Sequence, residues 1–452
     1  MLTSSLRRLS LSAVLLSASV LSYAQPITPL SEIEVQIVVG AAHLIPAGLS
    51  ALLARYPDQA VIYHNRLGIF YAEQQQAQLA LAEYQVALDL NPESAIVYSN
   101  RGVLLQDLGE TRAALDDYTQ AIILAPNYVT AYYNRGNLYR QLGNHDAAIV
   151  DFNDAIVRDS RYLDAYLGRA KSYTALQNYP SALNDFNLAL IINDQQASIY
   201  YDRAITYKAM GDYQAALEDY TQAITLDSAY INAYINRGVL LNEQFGDFNA
   251  AIADFNSVLQ IDPNNVIAYH NRGEAYRRLG DSASALNDYS QAIALNPGFS
   301  ISYRQRASLY TDLGNYDLAL EDLDRAIELN PNDATSYNLR GNAFFNLEDF
   351  VKARADFEQA FTLIPDFALA YRNYGIAEIR LGNYQAAVDA TQRSIQINPS
   401  SALSYAVLGD AYYELGDDAQ AIAAYRQYEQ IKGELEPYML ARLAEMQATS
   451  TP

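Results

Sequence analysis

Arginine and aspartate recur through this chain in a fixed relation. Arg101, Arg135, Arg169, Arg203, Arg237, Arg272, Arg306 and Arg340 are followed, sixteen or seventeen residues on, by Asp117, Asp151, Asp185, Asp219, Asp254, Asp288, Asp322 and Asp356. Two chemistries are open to such a set. A row of guanidiniums could bind an anionic ligand, because the planar fork of donors matches a carboxylate or a phosphate. Alternatively, each arginine could be held by its own aspartate in an internal ladder. The spacing favours the ladder. Gly109 lies midway between Arg101 and Asp117, and Gly143 midway between Arg135 and Asp151, so an antiparallel hairpin turning at the glycine brings each pair to one height. The pattern fades at its ends, where Leu67 stands with Glu83, Tyr374 with Ala390 and Leu408 with Ala424.

Other reactive constellations are missing from the sequence. There is no cysteine, which excludes disulfides, thiolate metal sites and thiol catalysis. The four histidines, His43, His64, His145 and His270, are too scattered to suggest a shared site. No phosphate-binding glycine loop and no Gly-x-Ser-x-Gly elbow occurs. The expectation is a protein that is not an enzyme, with no catalytic residue, no cofactor and no metal. The 38 tyrosines fall mostly at repeating positions and are expected to be core. The formal net charge of −22 repels nucleic-acid phosphates and anionic lipid, so the expected partners exclude nucleic acid.

The elements that carry these residues follow from internal repetition. Tyr98, Tyr132, Tyr166, Tyr200 and Tyr234 are 34 residues apart, and after one inserted residue the series continues as Tyr269, Tyr303, Tyr337, Tyr371 and Tyr405. Glycine or alanine follows each tyrosine by four residues, as at Gly102 and Gly375. Alanine follows by sixteen, from Ala114 to Ala421, allowing for the insertion. Proline closes many units, as at Pro126, Pro297 and Pro365. Each unit is predicted to be two helices. Tyr98, Gly102 and Leu105 share one helical face, Gly109 breaks that helix, and Ala114, Tyr118 and Ala121 line a second. Small residues let the two helices approach, and Pro126 ends the second by its missing N–H.

These residues resemble the tetratricopeptide repeat family, including the Leu67-Gly68 pair of the first unit. Tyrosine stands at the fourth position where the family usually has tryptophan. Eleven units are counted from 61 to 435. The resemblance implies an all-α fold, a right-handed superhelical solenoid of about eleven helix hairpins. It also implies a scaffold or assembly factor that binds an extended peptide or partner helix in a concave groove. The alternative from another class is a non-catalytic regulatory subunit of an exported enzyme.

The family's groove is lined by the first helix of each unit, at the second, fifth, sixth, ninth, twelfth and thirteenth positions. In units three to ten these positions hold Arg140, Lys171, Lys208, Arg277, Arg278, Arg304, Arg372 and Arg380, together with His270, against Asp164, Asp202, Glu243, Glu274 and Asp312. That is an excess of three positive charges, concentrated in units seven to ten, within an acidic chain. Amides recur at the sixth position as Asn100, Asn134, Asn236, Asn271 and Asn373, interrupted at Gly168, Asp202, Gln305, Leu339 and Val407. A similar asparagine ladder grips peptide backbones elsewhere in the family, since an amide both donates and accepts. The family's carboxylate clamp for chaperone C-termini needs lysine and asparagine at fixed positions in three successive units, and no three units here supply it. The expected partner is a protein or peptide, neutral to acidic where it enters the groove, held chiefly by Asn271, Arg277, Arg278, Arg304 and Arg372.

The flanks complete the domain reading. Residues 1–24 are expected to be a signal peptide, with Arg7 and Arg8, an apolar run from Leu9 to Leu21, and the small-x-small site Ser22-Tyr23-Ala24. The run is short for a membrane span. An exported protein, periplasmic or secreted, is expected, with no integral membrane domain; the alternative is anchorage by an uncleaved N-terminal segment. Residues 25–60 are expected to form a degenerate helical cap, 61–435 the repeat array, and 436–452 a capping helix and tail.

Overall fold

A computed structural model describes residues 57–449. The expected signal segment, and the expected cap up to residue 56, lie outside the described residues. Every regular element among those described is helical, comprising 23 α-helices, a 3-10 turn at Pro57–Gln59 and one π turn.

Twenty-two of the helices form eleven antiparallel hairpins. The first helices are Ala60–Glu73, Ala95–Asp107, Val129–Gln141, Leu163–Ala175, Ala197–Met210, Ile231–Leu240, Val266–Leu279, Ser300–Asp312, Ala334–Asn346, Ala368–Arg380 and Ala402–Leu415. Their partners are Ala77–Leu90, Thr111–Leu124, His145–Arg158, Tyr179–Ile192, Tyr213–Leu226, Phe248–Ile261, Ser282–Leu295, Tyr316–Leu329, Phe350–Leu363, Tyr384–Ile397 and Asp418–Lys432. Tertiary contacts divide the chain into two compact units, the first ending at Ile192 and the second beginning at Asn193. The first holds repeats one to four, the second repeats five to eleven.

Local chemistry sets the hairpin. The turn needs one residue with positive φ; Gly109 supplies it at +79°, at no steric cost. Asp or Asn then caps many second helices, as where Asp212 accepts from the Ala215 N–H at 3.1 Å. Within each hairpin the approach is close because the eighth position is small. A methyl group on Gly102 would stand 2.7 Å from the Tyr118 ring. Ala114, Tyr118 and Ala121 are fully buried there. The interior is therefore a series of small clusters, such as Ala148, Phe152 and Ala155, which Ala165 of the next hairpin joins.

The inserted residue of repeat six is absorbed locally. Ile231–Leu240 continues into a π turn, Leu241–Phe245, closed by the Asp247 N–H on the Leu241 carbonyl at 3.0 Å. The repeat resumes its phase in the next helix. A last helix, Pro437–Thr449, covers repeat eleven. It buries Met439 and Met446 in a cluster with Ala402, Tyr425 and Tyr428. Its Arg442 donates to Asp410 at 2.7 Å and lies over the Tyr413 ring.

Candidate functional site

The arginine row is a ladder. In every repeat from two to nine, Nε and Nη2 of the arginine donate to the two carboxylate oxygens of the partner aspartate. The distances are 2.7 and 2.8 Å for Arg101–Asp117, and 2.9 and 2.7 Å for Arg135–Asp151. They are 2.8 and 2.6 Å for Arg169–Asp185, and 2.7 Å twice for Arg203–Asp219. Arg272–Asp288 and Arg306–Asp322 also meet at 2.7 Å twice, and Arg340–Asp356 at 2.8 and 2.7 Å. Arg237 reaches Asp254 at 2.9 and 2.7 Å despite the extra residue between them, because the π turn takes up the insertion. The aspartate side chains are only 2 to 9 % exposed. The hydrogen bonds that Arg135 donates to Asp151 hold its guanidinium above the ordinary range, while burial pushes the Asp151 carboxyl up against the guanidinium's pull.

The third arm of the fork links hairpins. Nη1 of Arg101 donates to Gln85 (3.0 Å), Arg135 to Thr119 (3.0 Å), Arg237 to Thr221 (3.0 Å), Arg306 to Ser290 (2.8 Å) and Arg340 to Asp324 (2.7 Å). Arg169 and Arg272 reach Asn153 and Asn256 in the same way. Each acceptor sits sixteen residues before its arginine, on the second helix of the preceding hairpin. Both Arg–Asp bonds and the inter-hairpin bond are made by one side chain, which leaves these guanidiniums little to offer a ligand. In repeat one, where Leu67 stands in place of arginine, Glu83 instead meets His64 at 2.6 Å.

The first-helix face carries the remaining polar groups. Its asparagines tie neighbouring first helices together. Asn100 donates to Asn65 (3.0 Å), Asn134 to Ser99 (3.3 Å), Asn236 to the Tyr201 hydroxyl (2.9 Å) and Asn373 to Asn338 (3.1 Å). In each case the acceptor is the fifth residue of the preceding repeat, a pairing at 35 residues that sequence reasoning passed over. Asn271 is the exception. Its counterpart in repeat six is Ile235, which offers no acceptor, and the Asn271 amide makes no hydrogen bond among the described residues.

The arginines of repeats seven to ten fall into two classes. Arg277 donates to both oxygens of Glu274 (3.0 and 2.7 Å), and Arg278 donates to the same carboxylate (3.1 Å). The Tyr289 hydroxyl adds a bond to it at 3.1 Å. Burial works to raise the Glu274 carboxyl, but these donors outweigh it and hold it below its usual range. Arg304 meets Asp333 at 2.7 Å. Arg372 and Arg380 have no carboxylate partner among the described residues. Arg372 has one hydrogen bond, to Asn373 Oδ1 at 3.3 Å, and burial pushes its guanidinium below the ordinary arginine range. Arg380 is exposed and stacks over Phe350 at 4.5 Å. His270 is half-buried against Phe299 and Tyr289 and shares a hydrogen bond with Ser302 at 2.9 Å; burial pulls it down to about 4. Position alone flagged the arginines. Asp333 was missed because it lies outside the inward positions, at the cap of the next helix.

Among the described residues no group of three or more metal-ligating side chains gathers, and no helix is long and apolar enough to cross a membrane.

Family models agree with this architecture. Models described as "TPR repeat" match residues 68–109, 244–280 and 307–348. Models described as "Tetratricopeptide repeat" match 100–163, 338–402 and 375–434, and also 197–230 and 266–299. No curated protein matches the chain in sequence. Among solved structures, yeast Tom70 aligns over 86 % of this chain and 96 % of its own, at 18 % identity and a TM-score of 0.41. Cut9, in the APC/C hetero-tetramer Cut9-Hcn1, aligns over 85 % and 96 % at 16 % identity and 0.47. YrrB, described as a TPR protein with an unusual peptide-binding site, aligns over 41 % and 95 % at 24 % identity and 0.34.

Proposed function

The chain belongs to the tetratricopeptide repeat family, and from that premise we propose that it is an assembly scaffold whose first-helix face binds an extended, neutral-to-acidic polypeptide. The observation that carries this reading is the contrast between the two arginine sets. The ladder guanidiniums are used up inside the fold. On the first-helix face of repeats seven to ten, Asn271, Arg372 and Arg380 keep donors that no carboxylate among the described residues takes. Amide and guanidinium donors suit backbone carbonyls and acidic side chains. Export from the cytoplasm is part of the proposal and rests on the N-terminal signal pattern.

The binding test uses capped twelve-residue peptides of glycine and serine bearing three glutamates, three glutamines or three lysines. Fluorescence anisotropy on the full chain is expected to rank glutamate above glutamine above lysine, with affinity falling as salt rises. Reversing Arg372 and Arg380 to glutamate is expected to weaken the acidic peptide and flatten its salt dependence. Preference for the lysine peptide would overturn the reading. For export, N-terminal sequencing of native protein is expected to begin near Gln25, and recovery of Met1 from the cytoplasm would refute it.

A further inference from the structure

Repeats eight and ten share one construction and differ in one group. In repeat eight, Arg304 at the fifth position donates to Asp333, 29 residues on, at 2.7 Å. Asp333 caps the following first helix and is braced by the Ser336 hydroxyl at 2.6 Å. In repeat ten the same two places hold Arg372 and Ser401, again 29 residues apart. Ser401 likewise caps the following first helix and is braced by Ser404 at 2.8 Å, the counterpart of Ser336. The arginine, the cap and the brace all persist. Only the carboxylate is gone.

Nothing else in the described chain replaces it. Arg372 is half-buried, and its single bond to Asn373 leaves most of its five N–H donors unused. Asn373 is itself buried and donates to both Asn338 and Asn342, each at 3.1 Å, which fixes the oxygen that Arg372 bonds. The guanidinium is thus oriented as well as unpaired. Repeat seven shows the opposite arrangement, with Glu274 holding two arginines. A partly desolvated cation without a counter-charge is unfavourable, and an arriving carboxylate would relieve it with charge-assisted bonds.

We propose that Arg372 is the seat for one acidic side chain of the bound polypeptide, whose carboxylate takes the place beside it that Asp333 takes beside Arg304. This inference rests on the polypeptide-binding reading above and adds the residue that a partner must supply.

The test uses three glycine-serine decapeptides. One has a central glutamate and capped ends, one a central glutamine and capped ends, and one a central glutamine with a free C-terminal carboxylate. Wild-type full-length protein is expected to bind the glutamate peptide about tenfold more tightly than the capped glutamine peptide. S401D, which installs the missing carboxylate and keeps a good helix-capping residue, should erase that preference, as should R372Q. A preference that survives both substitutions overturns the seat. Equal binding of the two capped peptides overturns it while leaving the polypeptide reading standing. A gain seen only with the free terminus gives the seat to a chain end and overturns the side-chain assignment. Failure of all three peptides to bind would sink the polypeptide reading and the seat with it.

Discussion

Arg135 grips both oxygens of Asp151 with Nε and Nη2 and reaches back with Nη1 to Thr119 of the preceding hairpin. One side chain therefore closes its own hairpin and stitches it to its neighbour. Asp151 is 2 % exposed, so its charge has almost no water to fall back on.

Removing one member of this pair should be costly. Breaking a buried ion pair on one side typically costs about 3–5 kcal/mol, because the other charge is left uncompensated. Arg135→Ala is expected to lose that much in denaturant unfolding. Removing Asp151 as well should add little. Additive losses in the double-mutant cycle would show the pair to be uncoupled.

Gly102 offers a contest between two effects of known sign. Alanine is the better helix former by about 1 kcal/mol. Its methyl group, however, would meet the Tyr118 ring at 2.7 Å, and overpacking of a filled core typically costs about 1–3 kcal/mol. Gly102→Ala is expected to lower the thermal midpoint, and adding Tyr118→Leu should recover part of the loss. A raised midpoint in the single variant would show that the ring moves aside at no cost.

Three hairpins turn on the wrong residue type. Gln75, Gln177 and Glu348 hold φ near +60° where other repeats have glycine. Left-handed backbone costs a non-glycine residue roughly 1 kcal/mol or more. Glycine at Glu348, whose side chain is exposed, should raise stability by up to about 1 kcal/mol. The three changes are far apart and should add. A midpoint that falls in the triple variant would contradict the strain argument.

His270 should make repeat seven acid-sensitive. Burial is the main cause that pulls its pKa from 6.5 to about 4; Glu274 opposes the shift and Arg304 aids it. The neutral ring is the form the fold accepts, so its contribution is complete above pH 6.5. It is lost as pH falls from there toward 4, by about 1.4 kcal/mol per pH unit. Amide hydrogen exchange in Val266–Leu279 is expected to quicken between pH 6.5 and 5, after correction for intrinsic rates. His270→Phe, which keeps an aromatic edge against Phe299, should respond less. Identical pH responses would rule the ring out as the cause.

The period of 34 residues was enough to place the hairpins, because glycine and proline punctuate each unit and alanine recurs on one face. The Arg–Asp ladder was also legible, since residues equidistant from a turn must meet. These are local relations, set by helix geometry over fewer than twenty residues. The state of the first-helix arginines was not legible in the same way. Charge counted by position treats Arg304 and Arg372 alike. Only the packing of successive helices brings Asp333 to the first, while the second has Ser401 at the equivalent position of its repeat; likewise only packing supplies Asn236 with Tyr201, while the position equivalent to Tyr201 before Asn271 holds Ile235. A side chain's type is written in the chain. Whether its charge and donors are already satisfied depends on what a neighbouring repeat, some thirty residues away, places within hydrogen-bonding distance.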